Sequence, residues 1–146
     1  VGSEMCIRDS INNTRSDNLD SHMWSEAIKE RRCLIPVASY YEWTGPKGNK
    51  HTHLFQSPTK EWLWMAGIWE DSADHGLCFS MLTTEANPVV SPIHHRMPAI
   101  VTENDHKKFL LEGLEFFKPG PELLTTEKVV NPLLKIKPSH IQDELF

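Results

Sequence analysis

Three short segments hold polar residues where a core strand or loop has no use for them: Asn13-Thr14-Arg15, Tyr41-Glu42-Trp43 and Ile93-His94-His95-Arg96-Met97-Pro98. Glu42 stands between two aromatic residues at the end of an apolar run. Such a carboxyl is at least partly stripped of water, which raises its pKa toward the range of proton transfer. Its plain alternative is a strand-end carboxylate facing solvent. An imidazole such as His94 changes charge near neutrality and can serve as acid or base, against the alternative of a hydrogen-bonded structural histidine. Asn13 brings a donor and an acceptor without charge, suited to orienting a reactive group, although a lone Asn is more often a turn former. Alone, none of the three segments decides a chemistry.

The cysteines narrow the choices. Cys6, Cys33 and Cys78 are odd in number and form no CxxC pair, so neither a disulfide framework nor a zinc knuckle is expected, and a reducing, cytoplasmic setting fits best. Cys33 lies in a strand-like run and Cys78 in an apolar one, and both read as small buried core residues. With eight histidines, including alternating His51 and His53 and adjacent His94 and His95, a metal-binding domain is the main rival reading. No compact His/Cys/Asp set has structural-zinc spacing, so neither metal nor cofactor is expected. The formal charge of −5 speaks against broad coating of duplex DNA. A local basic groove with some of the five Trp and six Phe can still hold a single strand, which makes a non-catalytic binding module the second rival. At 146 residues, 39% hydrophobic and 24% charged, the chain has the make-up of one globular domain. Its apolar stretches stop short of the roughly 18 residues of a membrane span.

These residues need elements to position them. From Asp20 or Ser21 to Arg32, Trp24, Ala27 and Ile28 fall on one helical face. The run CLIPVASYYEW is β-branched and aromatic, and GPKGN at Gly45 to Asn49 predicts a turn into a strand from His51 to Gln56. WLWMAGIW from Trp62 and LCFSMLTT from Leu77 read as mostly buried strands separated by a polar turn. Thr102 opens a second helix with Asp105 three residues on, Phe109 and Leu110 on its apolar face and Gly113 as its stop. TEKVVN around Thr126 predicts a last strand. Strands bracketed by segregated helices, without regular βαβ alternation, predict an α+β domain.

In order, spacing and flanking residues, the three segments resemble the SRAP family, the SOS response-associated peptidases. That family has an N-A-R segment, a helix, then R-C-L-I/V-P-A-x-x-F/Y-Y-E-W, and later a Thr ahead of I-H-x-R-M-P. The matching stretches here are Asn13-Thr14-Arg15, Arg32 through Trp43, and Thr83 ahead of Ile93 through Pro98. The resemblance runs from about Asn12 to Asn131 and departs at Thr14 and Val37, where Ala is usual. It implies a mixed, strongly curved, barrel-like sheet with peripheral helices. It also implies a cysteine at the chain start, exposed when the initiator Met is removed, whose amine and thiol condense with the aldehyde of an abasic site in single-stranded DNA. The product is a thiazolidine, a covalent DNA–protein crosslink, and the implied activities are autopeptidase, crosslinking and lyase-type. By the same resemblance Asn13 orients the cysteine, Glu42 handles protons in imine formation and Met removal, and His94 acts as acid on the sugar oxygen. Arg15 and Arg96 meet phosphates, with Thr83 in the same DNA-binding set. A carboxylate, an imidazole and an amide converging on one carbonyl carbon are indeed the parts a reversible imine needs.

The family's nucleophile sits in an M-C-G-R start well ahead of the N-A-R segment. Met5-Cys6 imitates it, but Ile7-Arg8 follows and Asn13 comes too soon. The chain is therefore expected to lack the nucleophile and form no crosslink. Residues 1–11 read as a non-native leader resembling translated adapter sequence, with neither apolar periodicity nor a signal-peptide pattern. Residues 12–135 read as a partial domain with uncovered core faces and marginal stability, and 136–146 as a tail. In that tail Gln142, Leu145 and Phe146 resemble the Q-x-S/D-L-F peptide by which bacterial repair proteins dock on the sliding clamp, with departures at Asp143 and Glu144. An amphipathic polar tail is the alternative. A monomer is expected, nucleoid-associated if the source is bacterial.

Overall fold

The computed structural model describes residues 13–15, 25–113 and 120–133. The readings made for residues 1–11, Cys6, Trp24 and the start of the first helix, and for Gln142, Leu145 and Phe146, lie outside the described residues.

The two apolar runs in mid-chain form the longest strands. β5 (Leu63–Ser72) and β6 (Gly76–Glu85) pair antiparallel from Gly67↔Met81 to Ser72↔Gly76, and Gly76 turns the chain at φ 68°. β2 (Arg32–Val37) lies antiparallel on the other edge of β5, and as an edge strand it tolerates Pro36, which has no N–H to give a ladder. β7 (Arg96–Pro98) pairs antiparallel with the far end of β6, and β1 (Asn13–Arg15) pairs parallel with it, completing a five-stranded sheet. β3 (Ser39–Thr44), β4 (His51–Gln56) and β8 (Thr125–Val129) form a second, antiparallel sheet in the order β3-β4-β8.

The β3–β4 hairpin is the one GPKGN predicts. Gly45 sits at φ 95°, and a Cβ there would stand 2.6 Å from the Asn49 carbonyl oxygen, so both the backbone conformation and the space call for glycine. CLIPVASYYEW, by contrast, is two strands in two sheets. Val37 pairs with Leu63 and Ser39 with Gln56, so the chain crosses between the sheets at Ala38 and again between β4 and β5, at the same level. This corrects the expected barrel-like curvature. Two chain crossings join two separate sheets, and neither sheet closes on itself among the described residues. The α+β class stands.

Alternation along β5 serves two cores. Ala66 and Ile68 join Leu82, Ala99 and Val101 against Ala27 and Phe109, which come from α1 (Ala27–Glu30) and α2 (His106–Glu112). Leu63 joins Phe55, Val90, Met97, Ile100 and Leu124 between the sheets. A 3-10 turn over Glu103–Asp105 leads into α2, and Gly113 at φ 96° ends it as expected. Leu110, expected on the apolar face of this helix, is exposed, and Phe109 alone of α2 is buried. Arg32 opens β2 instead of closing the first helix. Its guanidinium donates to the carbonyls of Ile28, Leu110 and Leu111, so it takes up helix-end carbonyls that have no intrahelical partner.

Burial of the two long strands also departs from expectation. Trp69, Leu77 (75% exposed) and Phe79 (65% exposed) stand open and, with Cys33, Ile35 and Cys78, line an apolar groove of about 530 Å³. Cys33 and Cys78 are therefore half-buried groove residues, which corrects their reading as core. Burial pushes the Cys33 thiol above its ordinary pKa. No helix among the described residues is long and apolar enough to cross a membrane.

Candidate active site

Along β3, Tyr40, Glu42 and Thr44 leave one face of the sheet and Tyr41 and Trp43 the other. The rings of Tyr41 and Trp43 come within 6.5 Å of each other. The aromatic neighbours in sequence are thus not the neighbours in space, and on its own face Glu42 has Tyr40, Thr44 and, across the pair, His53 and Phe55. His53 is held by Thr44, Oγ1 to Nε2 at 3.1 Å. Glu42 is half-buried, and burial lifts its carboxyl above the ordinary carboxylate range. The charge of His94, the Trp43 backbone and the charge of His95 pull the other way without cancelling that lift. Carboxyl and imidazole, far apart in sequence, are thereby brought within electrostatic reach of each other.

A turn delivers His94 to this place. Asn87 Oδ1 accepts from the amides of Val89 and Val90, at 3.0 and 3.1 Å, and its Nδ2 donates to the Gly120 carbonyl at 3.2 Å. The turn closes with Ile93 and His94 amides donating to the Val90 carbonyl. At its end His94 Nδ1 lies 2.9 Å from the Arg96 carbonyl oxygen and 3.2 Å from the Arg96 amide nitrogen. A protonated Nδ1 donates to the carbonyl, and a bare Nδ1 accepts from the amide. One residue therefore satisfies either tautomer, and Nε2 can hold or release a proton without costing the ring its anchor. The His95 ring lies against it at 4.6 Å between centroids.

The next residue along supplies a cation. Arg96 Nη2 donates to the Thr83 carbonyl at 2.6 Å and to Thr83 Oγ1 at 3.3 Å. Thr83 is buried, and its backbone pairs with Arg15 on one side and Pro98 on the other. Register thus sets Arg15 beside Thr83, while Arg96, paired opposite Glu85, reaches Thr83 through its side chain. Asn13 is placed by register alone, opposite Met81. Glu42 with His94, and Arg15 with Thr83 and Arg96, are the groupings formed. Cys33 and Cys78 belong to the groove of the other sheet. Among the described residues no group of three or more His, Cys, Asp or Glu is placed to hold an ion.

Two residues of the site escaped the reading of the sequence. Asn87 supports the whole turn, and the Asn87-Pro88 dipeptide was the available signal for it. Tyr40, beside the motif's more conspicuous Tyr41, shares the face of Glu42.

The family model for SOS response associated peptidase (SRAP) matches residues 3–130. Among curated relatives, the abasic site processing protein YoqW of Bacillus subtilis (strain 168) is 29% identical over 105 residues, covering 67% of this chain and 46% of that one. The abasic site processing protein HMCES of Gallus gallus is 31% identical over 114 residues, covering 61% of this chain and 34% of that one. The chain thus spans less than half the length of both. A solved structure from Bacteroides thetaiotaomicron superposes with a TM-score of 0.71 at 29% identity, covering 82% of this chain and 58% of that one. One from Bordetella bronchiseptica, at 23% identity, shares the fold with a TM-score of 0.70, covering 82% and 65%.

Proposed function

The chain belongs to the SOS response associated peptidase (SRAP) family, and on that footing we propose that it is the proton-transfer and strand-holding part of a domain that processes abasic sites in single-stranded DNA during repair. Its relatives YoqW and HMCES carry the name abasic site processing protein. The observation that carries the reading is the meeting of Glu42, its carboxyl lifted by burial, with His94 on an anchor that serves both tautomers.

A ring-opened abasic sugar presents an aldehyde. An amine adds to it, water leaves to give an imine, and a thiol added to the imine carbon closes a thiazolidine. Glu42 gives the proton that lets the hydroxyl leave as water and takes one from the attacking amine, while His94 protonates the sugar oxygen as the ring opens. Asn13 orients the amine, and Arg15 and Arg96 hold phosphates beside the Thr83 backbone. In the family the amine and thiol come from one N-terminal cysteine. Cys6 lacks the flanking residues of that cysteine, and Cys33 and Cys78 line the groove of the first sheet. The proposal therefore assigns strand holding and proton transfer to these residues and gives no nucleophilic role to Cys6, Cys33 or Cys78. Clamp docking through Gln142, Leu145 and Phe146 belongs to the same proposal, and equal clamp binding after their removal would end it.

Affinity for a single-stranded oligonucleotide with one abasic site, measured against salt, tests the strand-holding role. Arg15→Ala and Arg96→Ala each weaken binding and lower the salt slope by about 1. Tighter binding to duplex, or an unchanged slope in both variants, sinks it.

A further inference from the structure

The Tyr40 hydroxyl is buried and has no hydrogen-bond partner among the described residues. Its ring is fixed in place, stacked on Phe55 at 4.9 Å between centroids and 12° between planes and set against the core between the sheets. Buried hydroxyls without a partner are uncommon, because each loses its bonds to water and gains nothing in return. A donor kept at that cost, in a site, calls for an acceptor that reaches it in use. Tyr40 and Glu42 stand two residues apart on the same face of β3, and Glu42 is the only carboxylate on that strand. A glutamate side chain has the rotamers to swing along the face, whereas the ring is held by its stack on Phe55.

We propose that Tyr40 is a positioning residue whose hydroxyl donates to the Glu42 carboxylate and fixes where that carboxylate stands for proton transfer. The inference rests on the reading of Glu42 as the proton carrier. The two groups already feel each other, since the Glu42 charge adds to burial in raising the Tyr40 pKa. A hydroxyl that donates to a carboxylate favours its charged form. Tyr40 therefore opposes the desolvation of Glu42 and sets the pH at which it ionises. The other titratable and charged groups on that face are His53 across the pair, His51 and Lys128 farther along it, and His94 and His95 from the turn. The family pattern takes Phe or Tyr at this position, so the hydroxyl tunes this chain without being a condition of the fold.

The test is an NMR titration of the Glu42 side-chain carboxyl in the full chain and in Tyr40→Phe, which keeps the stack on Phe55. Loss of the bond raises the Glu42 midpoint by about 0.7 unit. An unchanged or lowered midpoint overturns the proposal. The Phe55 ring resonances report whether the stack persists, and Phe55→Leu, which loosens the ring but keeps the hydroxyl, moves the midpoint less than Tyr40→Phe. Equal shifts in the two variants assign the effect to packing and overturn the proposal as well. Because the titration reads no activity, its failure is separate from any failure of Glu42 to act on DNA.

Discussion

Burial holds the Glu42 carboxyl in its neutral form to a higher pH than an exposed glutamate keeps it, so the folded chain takes up this proton more readily than the unfolded chain does. With the folded pKa above the unfolded one, the ionised carboxylate subtracts from stability at neutral pH. The loss is recovered as pH falls through the raised pKa toward the ordinary value of about 4.3. Glu42→Gln should therefore raise the Tm at pH 7, and the advantage should shrink on acidification, as parallel melts across that range will show. A gain that is the same at every pH would assign it to packing. At this scale the sequence was legible in its residue types, because a carboxyl in an apolar run and a histidine beside an arginine are conspicuous. The contacts were not legible. Glu42 owes its surroundings to Tyr40, His53 and His94, and only folding brings the last two near.

The site depends on two pieces of local structure. Asn87 spends its side chain on three backbone groups, two amides of its own turn and the Gly120 carbonyl, and it is buried. Asn87→Ala leaves the Val89 amide without this partner and takes one of two bonds from the Val90 amide and the Gly120 carbonyl, and it should cost about 1–3 kcal/mol in a urea melt, with the His94 resonances losing their native shifts. The hairpin that carries Glu42 turns on Gly45, where Ala meets both a positive φ and the Asn49 carbonyl. Gly45→Ala should cost about 1–3 kcal/mol by the same measurement, whereas Gly48, with open space around it, tolerates Ala with a smaller loss. Strand periodicity and the glycines of GPKGN made the hairpin readable in advance. The break at Ala38 was not, because nothing local to CLIPVASYYEW says that its halves pair with β5 and β4. Sheet membership is decided by partners far along the chain.

At the scale of the molecule, the hairpin end of the β5–β6 face, which carries Trp69, Leu77 and Phe79, is open, while the opposite face packs against Ala27 and Phe109 of the helices. Contiguous apolar surface of this kind binds hydrophobic dyes and promotes association. Leu77→Thr with Phe79→Thr should reduce both, with a change in stability within about 1 kcal/mol, since threonine keeps the strand preference and little packing is lost. An unchanged dye signal would mean that this face is covered in solution.

The central proposal is that Glu42 and His94 carry out proton transfer on an abasic site. Free cysteine can stand in for the family's N-terminal residue, and mass spectrometry can follow the rate at which it forms a thiazolidine with an abasic single strand. The protein should speed that reaction, and Glu42→Gln and His94→Ala should remove the acceleration. An unaltered rate, or equal acceleration by the variants, would contradict the account.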